Sequence, residues 1–373
     1  MRFLMLNWRD PKNPLTGGAE RVTEGYLSAL QKRGHEVYWF ANQFPGASPE
    51  DVISGIKIIR GGGRGQSVLR AKQWYRQQAR FDLVMDQHHG IPWFAPWWSR
   101  TNTVAYVHEV LGPIWGAFYP WPVSMLGRWQ ERCIHWLYRK VPFWTGSEST
   151  KRALQRRGIA DVTVIPYGIN LRPLTELEPK KIEVPVRLIA VSRLAPNKRI
   201  DHAIEATRLL NAQKIEAHLT IVGGGEEEAR LKQQALATGL GEKIAFAGLL
   251  SEKDKDGLLR RSHLLVHTSL REGWGLNVLE ANAMGTPAIV YPVDGLVDAV
   301  VHDQTGIITK EETPASVAEG VAALLKIPEK YQPYRVNGCE RTKAFHWENV
   351  LPQACAWLEK MASGRNSAGN QAR

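Results

Sequence analysis

The sequence repeats one pattern along most of its length: a short apolar, strand-like run followed by an amphipathic helical run. Arg2–Leu6 precedes a helical pattern over Ala19–Arg33, and Arg187–Val191 precedes another over Ile200–Ala212. Strands that alternate with helices form parallel sheets with crossover helices. The 373 residues are enough for two such cores. We therefore expect an α/β chain with two Rossmann-like domains.

A polar segment separates the two halves. Residues 170–185 contain three prolines and six charged residues without an apolar period, which predicts a linker. The last apolar helical pattern covers Trp347–Met361. We predict an N-terminal domain over 1–168, a linker over 169–185, a C-terminal domain over 186–345, a final helix over 346–361 and a disordered tail over 362–373.

Cysteine usage and hydropathy indicate a reducing compartment. Cys133, Cys339 and Cys355 form no CxxC spacing, so we expect neither a disulfide framework nor a zinc site. No apolar run approaches the ~20 residues of a membrane span. The segment MRFLMLNWRD is typical of a first strand rather than of a signal peptide. We predict a cytoplasmic protein.

Positive charge and tryptophan are concentrated in the N-terminal half. Residues 1–170 contain 22 Lys and Arg but only 12 Asp and Glu, and eight of the 14 tryptophans lie between residues 93 and 144. The charge predicts an anionic partner, such as nucleic acid, an anionic membrane surface or a phosphorylated substrate. Tryptophan beside basic charge is typical of membrane interfaces. Indole rings such as that of Trp115 also line sugar sites, and a tryptophan-rich core is the remaining alternative.

The strongest motif is REGWGLNVLE over residues 271–280. Its glycines let the backbone approach a ligand closely, and a helix begins near Leu276, where free N–H groups suit an anion. Glu272 lies in the loop and Glu280 in the helix, so the two carboxylates can accept hydrogen bonds from different hydroxyl groups of one ligand. An acidic loop with a helix-capping glutamate is the structural alternative.

Two further charged loops follow strands of the second half. Arg193 and Lys198 combine a forked donor with a point charge, which suits a diphosphate; a solvated basic loop is the alternative. Asp254-Lys255-Asp256 has the spacing of a metal-binding DxD, but it opens a helix after Ser251, where acidic residues favour the helix dipole. We therefore predict no metal site.

The N-terminal half contains candidates at the ends of its strands. Gly17 and Gly18 open a helix and suit close approach to a phosphate, although the absence of GxGxxG argues against NAD. His108 ends a strand, where it can donate to a hydroxyl or a phosphate. The preceding strand ends in three candidates for acceptor binding, Asp86, His88 and His89. For the two histidines we favour a hydrogen-bonded structural role.

Taken together, these motifs resemble glycosyltransferase family 4, the retaining transferases of GT-B fold. The resemblance covers nearly the whole chain and rests on the number and order of GGAER (17–21), His108, SESTK (147–151), IPYGIN (165–170), SRLAPNKRID (192–201), FAGLL (246–250), EGWGLNVLE (272–280) and FHWENV (345–350). It implies two Rossmann-like domains facing across a cleft, with a C-terminal helix that crosses back to the N-terminal domain.

The resemblance also implies roles for individual residues. His108 would lie at the reacting centre, Glu272 would hold hydroxyls of the donor sugar, and Arg193 and Lys198 would bind the diphosphate. Glu280 would bind the ribose. The remaining donor contacts would come from Gly17, Gly18, Phe246, Gly248, Leu249, Gly273, Trp274, Gly275, Leu276 and Asn277.

The implied reaction transfers a hexose-type sugar from a UDP- or GDP-sugar to a glycan or lipid-linked acceptor, without a metal or cofactor. A same-face route is expected, because no carboxylate is clearly placed as a covalent nucleophile. An anionic membrane surface is a further expected partner, and nucleic acid is not. The sequence departs from the family pattern at Asp298, where glutamate is usual, at Tyr167, where asparagine is usual, and at Trp274, where Phe or Tyr is common.

Other classes share parts of the pattern. A glycoside hydrolase would also use two carboxylates and aromatic rings, but it would not need an Arg–Lys pair beside a helix N-terminus. A nucleotide-sugar epimerase would share the two-domain shape and act without an acceptor. A nucleic-acid-binding protein would fit the charge, and an oxidoreductase lacks its fingerprint.

Overall fold

The predicted alternation of strands and helices forms two parallel sheets, one in each of two units of the computed structural model, which describes residues 1–63, 65–170 and 173–364. Of the described residues, the first unit comprises those within 1–111, 126–168 and 347–364. The second comprises residues 112–125 and 169–346. The expected α/β class with two Rossmann-like domains is confirmed.

The first unit contains an eight-stranded sheet. Its order is β3-β4-β2-β1-β5-β6-β7-β8, and every neighbouring pair is parallel except the hairpin of β3 and β4. The sequence did not predict β3, a short strand with alternating exposure at the sheet edge. The strands are β1 (Arg2–Leu6), β2 (Glu36–Ala41), β3 (Glu50–Ile53), β4 (Ile56–Arg60), β5 (Leu83–His88), β6 (Asn102–Val107), β7 (Phe143–Thr145) and β8 (Val162–Val164).

Helices cover both faces of this sheet, because continuous apolar runs such as Phe3–Leu6 bury both sides of its central strands. They are α1 (Gly18–Lys32), α2 (Ser67–Tyr75), α4 (Val123–Tyr138, in this unit from Leu126), α5 (Glu148–Gln155) and α13 (Trp347–Ser363).

The last helix belongs to the first unit, as the resemblance implies. On α13, Trp347 packs edge-on against Tyr26 of α1 with 5.2 Å between ring centroids, and Glu359 pairs with Arg33 at 2.7 Å. The helix runs two residues beyond the predicted boundary, because Ala362 is buried and the carbonyl oxygens of residues 361 and 362 accept from Asn102. The predicted disordered tail is therefore wrong at 362 and 363, and its residues 365–373 lie outside the described residues.

The second unit contains a six-stranded parallel sheet of order β11-β10-β9-β12-β13-β14. The strands are β9 (Val186–Val191), β10 (Ala217–Val222), β11 (Ile244–Gly248), β12 (Leu264–His267), β13 (Ala288–Val290) and β14 (Gly306–Ile308). The helices are α3 (Ile114–Phe118), α6 (Ile200–Ala212), α7 (Glu228–Ala237), α8 (Glu252–Arg261), α9 (Leu276–Ala283), α10 (Leu296–Ala299), α11 (Pro314–Lys326) and α12 (Tyr331–Thr342).

The described part of the predicted linker, residues 169–170 and 173–185, forms no helix or strand beyond an isolated bridge of Ile169 with His346, and it is hydrogen-bonded to the second unit. The ammonium group of Lys180 donates to the carbonyl oxygens of Arg260 and Ser262 and to the Thr286 hydroxyl at 2.5–3.2 Å. Residues 112–125, which the sequence assigned to the N-terminal domain, also cluster with this unit. Among the described helices, none has the length and apolar character to cross a bilayer.

Candidate functional site

The second sheet has its switch point between β9 and β12. From β9 the chain adds β10 and β11 on one side and then returns to add β12 on the other. Ligands of open parallel sheets bind outside the carboxyl ends of the strands at such a point. Here the loop after β9 contains Arg193 and Lys198, and the loop after β12 contains Glu272. The topology thus brings together the two motifs singled out in the second half.

Lys198 and Glu272 form a close ion pair. The Lys198 ammonium nitrogen lies 2.5 Å from the Glu272 Oε1, and both side chains are mostly shielded from solvent. Burial would raise the pKa of Glu272, but the charge and hydrogen bond of Lys198 outweigh it and lower the pKa below its usual value. His267, whose Nε2 is 3.5 Å from the same oxygen, has a pKa lowered to about 4 by burial and is neutral at pH 7. The pair thus presents a fixed carboxylate and a fixed cation.

The N-terminus of α9 lies in the same loop. Gly275 precedes Leu276 with φ of 79°, a left-handed conformation that favours glycine. The Asn277 side chain donates to the Val191 carbonyl at 2.7 Å and fixes the start of α9 to the end of β9. Trp274 points into the unit and packs against Phe345 with 5.2 Å between rings, so its side chain has a core role. The backbone around Gly273 remains as the candidate for ligand contact.

A glycine of the next loop supports Glu272. Gly295 has φ of 83°, and a Cβ there would overlap the carbonyl oxygen of Glu272. The Glu272 amide donates to the Asp294 carbonyl at 3.1 Å, and Arg271 pairs with the Asp294 carboxylate. The departure from the family pattern, Asp298, lies on α10 after this loop, and Gly295 is the residue that permits the close approach to Glu272.

The Arg193 loop packs on a glycine turn. Gly223 and Gly225 follow β10 in left-handed conformations, and a Cβ at either would overlap the carbonyl oxygen of Ser192 or Leu194. The Arg193 side chain is exposed, and within the described residues its guanidinium has no hydrogen-bond or ion-pair partner. An unpaired guanidinium in this position is available to an anion.

Glu280 is also held by a lysine. The Lys255 ammonium nitrogen lies 2.9 Å from the Glu280 carboxylate and 2.6 Å from that of Glu252. Burial lowers the pKa of Lys255, but these carboxylates raise it above its usual value. Sequence reasoning missed Lys255, which is the central residue of the DxD; the DxD itself is accounted for by Ser251, whose side chain caps α8 through the Asp254 amide.

Three of the predicted donor contacts lie at the end of β11: Phe246 and Gly248 belong to the strand, and Leu249 follows it. Gly248 has φ of 67° and its carbonyl accepts from Gly223 at 2.8 Å, which places it beside the glycine turn. Leu249 is 86% exposed, and the Phe246 ring lies under the Lys232 ammonium group. These residues border the same carboxyl edge of the sheet as Arg193.

In the first unit, Gly17 caps α1. Its amide donates to the Glu20 carboxylate at 2.8 Å in a capping arrangement, and Gly18 is the first helical residue. The loop before it is anchored by a buried ion pair of Asp10 and Arg60 at 2.7 Å. The glycine pair therefore lies on a fixed loop at the carboxyl end of β1.

His108 follows β6 and is buried. The Gln87 amide nitrogen lies 3.0 Å from Nε2 and can only donate, so the ring proton lies on Nδ1, 2.5 Å from the Tyr167 hydroxyl. Burial lowers the pKa of His108 to about 3, so the ring is neutral. Tyr167, the second departure from the family pattern, thus orients the imidazole.

The three candidates on β5 and after it differ in their surroundings. Asp86 is fully buried and accepts hydrogen bonds from the Trp93 and Ala95 amides and from the Tyr138 hydroxyl. Together these three donors occupy both carboxylate oxygens. His88 is buried against the Tyr138 ring, and burial lowers its pKa to about 3. This geometry favours structural roles for Asp86 and His88. His89 is exposed.

Trp115, the remaining acceptor candidate, lies on α3 in the second unit beside the turn formed by Pro196–Lys198. Its indole N–H has no hydrogen-bond partner among the described residues. Across the described residues no group of three or more His, Cys, Asp or Glu side chains is arranged to hold a metal ion.

Two family models match the chain in succession. Residues 16–172 match the model described as "Glycosyltransferase Family 4", and residues 172–341 match "Glycosyl transferases group 1". The chain is 27% identical to the glycogen synthase of Mycobacterium tuberculosis, over 94% of this chain and 92% of that one. It is 25% identical to the human alpha-1,3/1,6-mannosyltransferase ALG2, over 91% and 90% of the two chains.

Solved structures show the same architecture. The sucrose-phosphate synthase of Thermosynechococcus elongatus superimposes with a TM-score of 0.78 at 19% identity, covering 97% of this chain and 99% of the other. Anabaena HepE in complex with UDP-glucose gives 0.73 at 19% identity, covering 96% and 100%. The chain belongs to glycosyltransferase family 4 and has the GT-B fold.

Proposed function

We propose that this glycosyltransferase moves a hexose-type sugar from a nucleoside diphosphate sugar to a glycan or lipid-linked acceptor, with retention of the anomeric configuration and without a metal. The observation that carries the proposal is the placement of Lys198, Glu272 and the α9 N-terminus at one switch point. A phosphate and a sugar hydroxyl need a cation, backbone N–H donors and a carboxylate within a few ångströms of one another.

When the donor binds, its phosphates and hydroxyls would replace part of the contacts within the Lys198–Glu272 and Lys255–Glu280 ion pairs. Lys198, Arg193 and the amides at Leu276 would take the diphosphate, and Glu272 would accept from sugar hydroxyls. Glu280 would accept from the ribose while Lys255 holds its other oxygen. Both carboxylates are already oriented by lysines, so little ordering is needed when the donor binds.

Charge that develops on the leaving diphosphate would be stabilised by the same cations and amides. The bond from the anomeric carbon to the phosphate oxygen breaks, the acceptor oxygen bonds to that carbon on the same face, and the acceptor proton passes to the departing phosphate. The low pKa of Glu272 makes it an acceptor of hydrogen bonds rather than an acid. His108 is proposed at the reacting centre on the strength of the family resemblance, as a neutral ring.

Similar proteins use more than one donor. HepE binds UDP-glucose, and a GDP-mannose-dependent mannosyltransferase of Mycobacterium tuberculosis is 28% identical over 57% of this chain and 56% of its own. Calorimetric titration with UDP, GDP and ADP, in chelator and then with Mg²⁺, selects among these donors. We expect micromolar binding of one nucleotide in chelator, and no binding of any nucleotide would overturn the proposal.

Variants then locate the site. Arg193→Ala and Glu280→Ala should weaken nucleotide binding, whereas Arg76→Ala, an exposed arginine on the first unit, should not. Once the donor is known, NMR of the product gives the anomeric configuration. Release of nucleotide only in the presence of an acceptor distinguishes transfer from epimerisation and hydrolysis.

A further inference from the structure

Helix α4 has an apolar stripe on its outer side. Leu126, Trp129, Trp136 and Leu137 are 61%, 63%, 60% and 44% exposed, in a helix whose opposite side is buried. Trp129 and Trp136 are seven residues apart and point in directions within about 20° of each other. Leu126 and Leu137, eleven residues apart, also point in directions within about 20° of each other, next to the two tryptophans. Soluble proteins rarely expose so many large apolar groups together.

The inner side of α4 packs against the core of the first unit. Ile134 and Tyr138 are buried in the core with Phe143. Glu131 pairs with Arg157 at 3.2 Å and accepts from the Leu111 amide at 2.7 Å. The outer stripe is therefore additional to the packing that holds the helix in place.

Basic side chains flank the stripe. Arg128 and Arg132 are exposed along one edge of α4, and Arg139 and Lys140 follow its end. Arg139 lies over the Trp136 ring at 4.2 Å, so this pair combines an apolar face with a cationic head. Glu131 is the only acidic residue between 126 and 140, and it is buried. The exposed charges of this surface are therefore all positive.

A second apolar group continues the surface. Trp97 is 54% exposed, and its ring stands edge-on to Tyr138 at 4.9 Å between centroids. It lines a cavity together with Leu137, Arg139 and Lys140. Indole rings beside arginine and lysine are the side chains that proteins place at the level of lipid headgroups.

We propose that this surface, formed by Leu126, Trp129, Trp136, Leu137 and Trp97 with Arg128, Arg132, Arg139 and Lys140, docks the enzyme on an anionic phospholipid bilayer. The stripe would lie in the interface while the basic rim meets lipid phosphates. A second copy of the chain is a poorer occupant, because a symmetric contact would bring two sets of like charges together. The inference does not depend on which sugar or donor is used.

Co-sedimentation tests the proposal with the full chain and vesicles of phosphatidylcholine alone or mixed with phosphatidylglycerol. The wild type should bind the mixed vesicles and lose binding in high salt. Trp129→Ala/Trp136→Ala should bind at least ~10-fold more weakly, and Arg128→Gln/Arg132→Gln about 30-fold more weakly. The controls Leu236→Ala and Lys253→Gln/Lys310→Gln, exposed positions of the second unit, should bind as the wild type does.

Folding is checked by thermal unfolding, which the exposed substitutions should leave unchanged. Absence of wild-type binding to mixed vesicles at low salt would overturn the proposal, as would full binding by the tryptophan variant. A dimer in sedimentation velocity that the tryptophan variant breaks, without vesicle binding, would assign the surface to a second copy instead. Nucleotide titration of the same samples reports the donor site separately, so failure here is distinguishable from failure of the proposed reaction.

Discussion

The Lys198 ammonium group lies 2.5 Å from the Glu272 carboxylate, at the point where the strand order of the second sheet reverses. The two residues are far apart in sequence, and both β9 and β12 are needed to position the pair. The loop after β9 supplies the cation and the loop after β12 supplies the anion. Substitution of Lys198 can therefore test nucleotide binding, and substitution of Glu272 can separately test sugar transfer.

Lys198→Ala should weaken nucleotide binding about 10–100-fold, because a charged hydrogen bond to phosphate is lost. Glu272→Gln should retain nucleotide binding but lower the rate of transfer, since it removes a contact to the sugar. Titration and initial-rate measurements check both. The matched control is Lys243→Ala, which breaks the Lys243–Glu216 pair at 3.2 Å before the amino ends of β10 and β11, at the opposite edge of the sheet. Equal losses in the control would contradict a phosphate role for Lys198.

Gly295→Ala should weaken nucleotide binding, because the new Cβ overlaps the Glu272 carbonyl oxygen and displaces the loop that leads to the α9 N-terminus, whose amides would bind the diphosphate. Gly239→Ala is the control, because Gly239 also has a left-handed φ but has open space around it. Both variants should lose about 1 kcal/mol from backbone strain, and Gly295→Ala should lose more from the overlap. Urea unfolding and titration measure the two effects. Normal binding by Gly295→Ala would show that the loop can shift without consequence.

Tyr167→Phe removes the partner of the His108 Nδ1–H and should lower the transfer rate by about fivefold, the value of a neutral hydrogen bond. Tyr26→Phe is the control, because its hydroxyl donates instead to the Pro166 carbonyl at 2.9 Å. The substrate KM should change little, since the hydroxyl orients the ring rather than the ligand. A fall in kcat of the same size in both variants would indicate a general loss of packing.

Asp86 should make the protein less stable as pH rises. Burial raises the pKa of Asp86 to about 6, opposed by hydrogen bonds from Trp93, Tyr138 and Ala95. Because the folded pKa exceeds the unfolded value, its contribution to stability is complete below about pH 4 and is lost by about pH 6, a change of about 3 kcal/mol. Asp86→Asn cannot ionise, so its free energy of unfolding should decline less over this interval.

The pH series is checked by urea unfolding, with Asp51→Asn as the control. The ion pair with Lys12 lowers the pKa of Asp51, so that residue contributes in the opposite sense and its removal should not flatten the decline. An Asp86→Asn curve that parallels the wild type would show that Asp86 stays ionised when buried.

The sequence predicted those strands and helices in which the spacing of apolar residues matches a single type of secondary structure. The bounds of β1 and α6 agree with the structure, because their apolar residues are continuous in β1 and lie on one helix face in α6. Helix α4 was missed, because large apolar side chains occupy part of its outer side, where polar residues mark an amphipathic helix. The edge strand β3 was missed because half of it is exposed and it pairs only with β4.

The candidate site was predictable where a motif and a strand end coincide. Lys198, Glu272 and the α9 N-terminus meet because parallel strands bring their carboxyl ends to one edge. Lys255 and Gly295 were not identified, because their significance lies in contacts with Glu280 and Glu272 from other loops. Aspartate is a residue type that often binds ligands, so the sequence made Asp86 a candidate. The structure shows instead that three protein groups donate hydrogen bonds to its carboxylate.

Helix α13 completes the first unit although the whole second unit precedes it in sequence. A ribosome therefore releases every strand of both sheets before it releases the helix that covers part of the first one. Domains generally fold as units as they emerge. The unit that comes first along the chain is consequently the last that can be completed, and the second unit can fold before the helix of the first unit has been synthesised.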